Sequence, residues 1–296
     1  MKSYNFKNKA MKRLITGFLL SITVSVFSQA NFQGKAVYQS KTTIDTNFGG
    51  RQLSEERKKQ ILERMKNMLE KTYVLNFTKE ESLYKEEEKL ETPGSRGGFR
   101  FGGFAGGGTM YKNVKDAKLL ESTEFFGKKF LITENAEKPK WELGSETKQI
   151  GNYTCFKATL VKKTNALDWR NMRRRNRDSE EKKDSSKVKK VSEELELPKE
   201  ILVTAWYTPQ IPVSNGPGEY WGLPGLILEV NEGRTTILCS EITMNPSEKV
   251  AINEPTKGKE ITREEYNKVV KEKMEEMRER FRSRRGGNDR GGRGFH

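Results

Sequence analysis

Leu226, Ile227 and Leu228 follow directly on Pro224 and Gly225, inside the stretch "EYWGLPGLILEV". A strand that leaves a tight turn with three apolar residues in a row is apolar on both faces. Such a strand needs cover on both sides and belongs near the middle of a core. The rest of the chain must supply that cover. Pro224 and Gly225 suit the two central positions of a type II turn, with the glycine at positive φ. Pro217 and Gly222 punctuate the approach to it, and Pro209 and Pro212 remove the donors that would prolong the preceding strand.

The cover comes in short segments rich in β-branched and aromatic residues. They include "GKAVYQSKTTI" from Gly34, the pair "TYVLNFT" and "ESLYKEE", then "AKLLESTEF", "KKFLITE", "KWELG", "NYTCFKATLVKK", "EILVTAWYT" and "RTTILCSEITM". Their close spacing, with turn residues between, argues an antiparallel meander and not βαβ units. Two stretches change period. Ile61, Leu62, Met65, Met68 and Leu69 recur at helical spacing behind Ser54 as N-cap. Tyr266, Val269, Val270, Met274, Met277 and Phe281 share one face behind a capping box of Thr262 and Glu265. The expected fold is mainly β: a curved antiparallel sheet or open half-barrel with one or two packed helices. In element pattern this resembles the half-barrels that carry lipoproteins or sense envelope stress.

The charge of +15 is carried by appendages. Residues 1–30, Asp168–Lys190 and Met277–His296 each hold a net +5, which leaves everything between them neutral. The first piece has the form of a secretory signal. Lys2, Lys7, Lys9, Lys12 and Arg13 precede the uncharged apolar run Leu14–Phe27, and Ser28 and Ala30 suit a cleavage point. The expected organisation is a signal peptide over 1–30, a single antiparallel β-rich domain over 31–260, a helix over 261–285 and an Arg/Gly tail over 286–296. Flexible insertions are expected at 93–108, rich in glycine, and at 168–190, dense in both charges. The glycine-rich stretch lacks the Gly-Lys-Ser/Thr ending of a phosphate-binding loop.

Histidine and cysteine counts narrow the chemistry. The single histidine is the last residue, His296, so serine–histidine and cysteine–histidine catalysis and histidine-based zinc sites have no candidates. No catalytic residue, metal ligand or cofactor is assigned. Cys155 and Cys239 are the two thiols of a chain expected in an oxidising compartment; they form a disulfide or remain as buried thiols. Trp206, Tyr207, Tyr220 and Trp221 surround the Gly/Pro turn, either as an aromatic binding lip or as cover for the end of the β core. Trp206 and Tyr207 face opposite sides of their strand.

The block "AWYTPQIPVSNGPGEYWGLPGLILEV" (Ala205–Val230) resembles the signature of the GLPGLI family of exported Bacteroidota proteins, and "ETKQIGNYTCFKATL" (Glu146–Leu160) is similar to that family's second block. The resemblance implies an envelope protein, often encoded near outer-membrane receptors, with no established reaction and no catalytic residue to carry over. The expected role is a non-catalytic binding or accessory module in the periplasm, at the outer membrane or secreted, acting on an envelope partner such as an outer-membrane receptor, or on an apolar or polymeric ligand. The alternatives are a carboxylate-dependent hydrolase of envelope polymers and adhesion of the basic tail to anionic lipid or polysaccharide. Nucleic acid is not an expected partner, and no transmembrane helix is expected in the mature chain.

Overall fold

The computed structural model describes residues 32–43, 54–87, 108–135, 137–163 and 200–287. Residues 1–30, expected to be a signal peptide, the expected insertions at 93–108 (as far as Gly107) and 168–190, and the tail beyond Gly287 lie outside the described residues.

Twelve strands form one open sheet in the order β12-β6-β5-β4-β3-β2-β1-β11-β10-β9-β8-β7. Strands β1 (Gln33–Thr42), β2 (Glu70–Thr78), β3 (Glu81–Glu86), β4 (Thr109–Asn113), β5 (Lys118–Phe125) and β6 (Lys128–Asn135) make one antiparallel meander. A second comprises β7 (Glu142–Ile150), β8 (Tyr153–Lys163), β9 (Glu200–Thr208), β10 (Leu226–Glu232) and β11 (Thr235–Met244). The two meanders join where β1 pairs with β11, antiparallel, from Gly34↔Met244 to Thr42↔Thr235. The short β12 (Lys259–Thr262) adds to β6 as the one parallel pair.

The sheet must curl. β6 is second in the order and β7 last, ten strand spacings apart, or roughly 48 Å on a flat sheet. Yet Asn135 and Glu142 bound these strands, and seven residue steps of extended chain reach at most about 25 Å. The segment between them is therefore a strap drawn across the mouth of a curved sheet.

Register shows which residues line the two faces. Gly34, Phe77, Ser82, Lys112, Leu119 and Glu134 form one cross-strand row from β1 to β6. This inner face is covered by the loop between β9 and β10 and, further along, by helix α2 (Arg263–Gly287). Tyr266, Val269, Val270 and Met274 of α2 pack on Phe125, Phe130, Ile132 and Ile261. Its capping box forms as expected: Thr262 N donates to Glu265 Oε2 at 3.0 Å and Glu265 N to Thr262 Oγ1 at 3.3 Å. Arg263 then ties the helix start to Glu121 on β5 and Glu134 on β6. The outer face buries Tyr111, Leu120 and Leu131 beneath Ile252.

Helix α1 (Glu55–Leu69) is capped by Ser54 and runs straight into β2 through Glu70. Strand β10 is internal, with Leu226, Ile227, Leu228, Glu229 and Val230 all buried. The both-sided apolar strand is thus covered as its sequence requires. Among the described residues no helix is long and apolar enough to cross a membrane.

Candidate functional site

The loop from Pro209 to Gly225 crosses the inner face and is locked to the opposite meander. It leaves β9 and returns as β10, but its contacts reach β3, β4 and β5, four to six strand positions away. Ile211 and Val213 are buried in the central core with Tyr38, Leu75 and Phe77. Ser82 Oγ donates to Asn215 Oδ1 at 3.0 Å. Lys112 Nζ donates to Gly216 O at 2.9 Å and to Tyr220 O at 3.1 Å. The loop also pairs with its own return strand: Leu226 N donates to Ile211 O and Ile227 N to Asn215 O, both at 3.0 Å.

Lys112 is 1% exposed, and the acceptors of its amine are those two carbonyls. A neutral amine has two N–H groups and satisfies both, whereas an ammonium would bring a third donor and a charge into the interior. Burial accordingly pulls its pKa from the ordinary lysine value down to about 7, against an opposing pull from Glu219. Glu219 itself pairs with Lys162 at 2.6 Å, and Lys162 also pairs with Glu232 at 2.8 Å. Burial works against the charge of Lys162, but Glu219, Tyr220 and Glu232 outweigh it and hold its pKa above the ordinary value.

The four aromatic residues do not converge on a lip. Trp221 is buried against Leu119 of β5, with Met110 and Val114 beside it. Tyr220 is buried under the Lys162 ammonium, which stands 5.6 Å from its ring centroid. Tyr207 is buried beside Phe156, with ring centroids 6.1 Å apart. Trp206 is half-buried in a different cluster from Tyr207, as alternation requires, with Lys148 5.3 Å from its ring centroid. Three of the four belong to the core, so the binding-lip alternative is corrected.

The type II turn is also corrected. Gly225 is not at positive φ; the glycines of this loop that are lie at Gly218, φ +57°, and Gly222, φ +93°. Gly225 is required for close approach instead: a Cβ there would lie 2.2 Å from Thr208 O and 2.5 Å from Thr208 C. It lets the start of β10 sit against the end of β9. Pro217 is buried and its carbonyl accepts from Tyr220 N at 3.2 Å, closing a tight turn, while Pro224 is exposed.

Against this exposed turn lies the strap. Trp141 Nε1 donates to Trp221 O at 2.7 Å, and the rings of Trp141 and Tyr220 are 6.2 Å apart. Between strap and loop is a cleft of about 570 Å³, walled on one side by Lys138, Pro139, Trp141 and Leu143 and on the other by Pro212–Ser214 and Gly222–Gly225. Nothing local in the sequence joins Trp141 to the signature turn eighty positions later; the crossing of the strap does.

Elsewhere, carboxylates face each other as Glu121/Glu134 and Glu219/Glu232, and each pair closes on a cation, Arg263 and Lys162. Glu229 is buried beneath Lys148 and accepts from Asn231 Nδ2 at 2.7 Å. Among the described residues no three His, Cys, Asp or Glu side chains are grouped to share a metal ion. Cys155 and Cys239 are buried free thiols, which corrects the disulfide alternative. They lie on β8 and β11 with β9 and β10 between, and each donates to a backbone carbonyl, Tyr153 O and Glu241 O. Burial raises their pKa values to about 11 and about 12.

Residues 141–229 match the model of a family described as "Protein of unknown function (Porph_ging)". The match begins at Trp141 of the strap and ends inside β10, so it takes in much of the cleft. No curated protein matches the chain. Two solved structures, titled "Structure of PNGF-II in C2 space group" and "Structure of PNGF-II in P21 space group", are similar at a TM-score of 0.45 and 13% identity. Each alignment covers 81% of this chain and 33% of the other, so the chain spans about a third of their length.

Proposed function

We propose that this protein is an exported, non-catalytic binding module of the bacterial envelope and that the cleft between strap and signature turn is its binding site. Export rests on the composition of residues 1–30, and the envelope setting on the resemblance of Ala205–Val230 to the GLPGLI signature. The observation that carries the binding role is the cleft itself. Its volume of about 570 Å³ is in the range of small-ligand sites, and its walls are predominantly apolar and hold no carboxylate. Leu143, 62% exposed, stands in the wall as an apolar side chain that a ligand would cover. The hydrolase reading has less support, because the facing carboxylates found elsewhere are already engaged with Arg263 and Lys162.

The test is uptake of a neutral apolar fluorophore, N-phenyl-1-naphthylamine, by the folded mature protein. Uptake with a rise in emission is expected, weakened several-fold by Leu143→Glu with no change in unfolding temperature. No uptake, or uptake indifferent to Leu143→Glu, would overturn the assignment of the cleft.

A further inference from the structure

We infer that the ligand of this cleft is a single-chain anionic amphiphile: a hydrocarbon chain ending in a carboxylate or similar acid. The inference rests on the cleft being the binding site and adds the chemistry of its occupant. Two features carry it.

The first is the charge at the rim. Lys138 is the only charged residue in the wall, and its ammonium makes no ion pair or hydrogen bond with any other described residue. Its stem lies against Gly222: the missing side chain at that glycine leaves room for it, and a Cβ there would stand 3.2 Å from Lys138 Cγ and 3.5 Å from Cε. The methylenes thus lie across the turn while the charged end stays at the water, the usual disposition of a long cationic side chain on apolar surface. A cation at the rim of an apolar cleft selects an acid at one end of its ligand.

The second is the apolar character of the walls, in which the Ser214 hydroxyl is the one uncharged polar side chain besides the Trp141 indole. Pro139, Pro212 and Pro224 bring no N–H to the walls. The amides of Val213 and Gly222 are donated to Ile211 O and Ser214 O, and the indole N–H of Trp141 to Trp221 O. A peptide laid in such a cleft must find a partner for every carbonyl it buries, at a cost for each one left without. A hydrocarbon chain has no such groups and gains from burial against Trp141, Leu143 and Leu223.

The experiment is displacement of bound N-phenyl-1-naphthylamine by dodecanoate and by dodecyltrimethylammonium, both kept below their micellar concentrations, from the wild type and from Lys138→Glu. Dodecanoate is expected to displace the fluorophore at a roughly two- to five-fold lower concentration than the cation, the range one exposed charge contact supplies. The order should invert in Lys138→Glu. Equal displacement by both amphiphiles in the wild type would overturn the charge selection, and displacement by neither would overturn the hydrocarbon ligand. Binding to anionic phospholipid vesicles with monomeric dodecanoate inert would also overturn it, in favour of a membrane surface. In each case the fluorophore still binds; its failure to bind is instead the failure of the cleft.

Discussion

Ser82 and Lys112 stand directly opposite one another on β3 and β4, and both hold the same loop, Ser82 through Asn215 and Lys112 through Gly216 and Tyr220. Register alone places them side by side, because directly paired residues of an antiparallel ladder share a face. The loop is thereby fastened to strands that lie beyond β11, β1 and β2 from its own.

The amine in this fastening makes stability depend on pH. In the unfolded chain Lys112 keeps its proton up to about pH 10.4, whereas folded it loses it near 7. Between these values the unfolded state binds more protons, so this residue makes stability rise with pH across the window and level off below about 7. Lys112→Met should flatten the slope, which urea titrations of both proteins from pH 7 to 9.5 would measure. Parallel slopes would show that the amine is charged in the fold.

Gly225→Ala should destabilise the protein by about 1–3 kcal/mol, since the new Cβ overlaps the Thr208 carbonyl and β10 must shift to admit it. Gly222→Ala should cost about 1 kcal/mol through backbone strain at positive φ, with its nearest neighbour the yielding Lys138 stem. Denaturation midpoints would order the two, and a milder effect at Gly225 would contradict the close approach.

Both cysteines should be inert in the folded state, because burial holds the thiolate out of reach at neutral pH. Alkylation at pH 8 should add no label to the native protein and two to the unfolded, unreduced protein, counted by mass. Zero labels after unfolding would show a disulfide.

Deleting Asp168–Lys190 should leave the sheet in place. Lys163 and Glu200, on either side of the segment between β8 and β9, are directly paired in adjacent antiparallel strands, so a shorter connection closes the same hairpin. A change in stability within about 1 kcal/mol is expected, loop-closure entropy varying slowly with length. Loss of a single cooperative transition on heating would refute this.

Most strands were legible because their chemistry is local: alternation in "EILVTAWYT" and the apolar run after Gly225 each state a face and a boundary. Strand β4 was obscured because it follows the glycine-rich stretch directly and carries Lys112, which on any pattern argument points to water. Strand β12 has four residues and pairs in parallel, leaving almost no period to detect. The cleft was beyond reach for a different reason. It exists because the strap meets the turn, and that meeting depends on curvature, a property of the whole sheet. The role of Gly225 failed similarly: a glycine needed for φ and one needed for proximity look alike until Thr208 is in view.

The pairing of β1 with β11 sets an order of events. Thr42 and Thr235 share a hydrogen bond of 2.9 Å across 193 positions, and every rung of that ladder spans a comparable length of chain. During synthesis β1 can find β2 early, but its second edge waits until the second meander has emerged almost entire. A nascent chain of this protein is therefore committed to a long interval with an open strand edge, the state in which chaperones can hold it and in which self-association competes with folding.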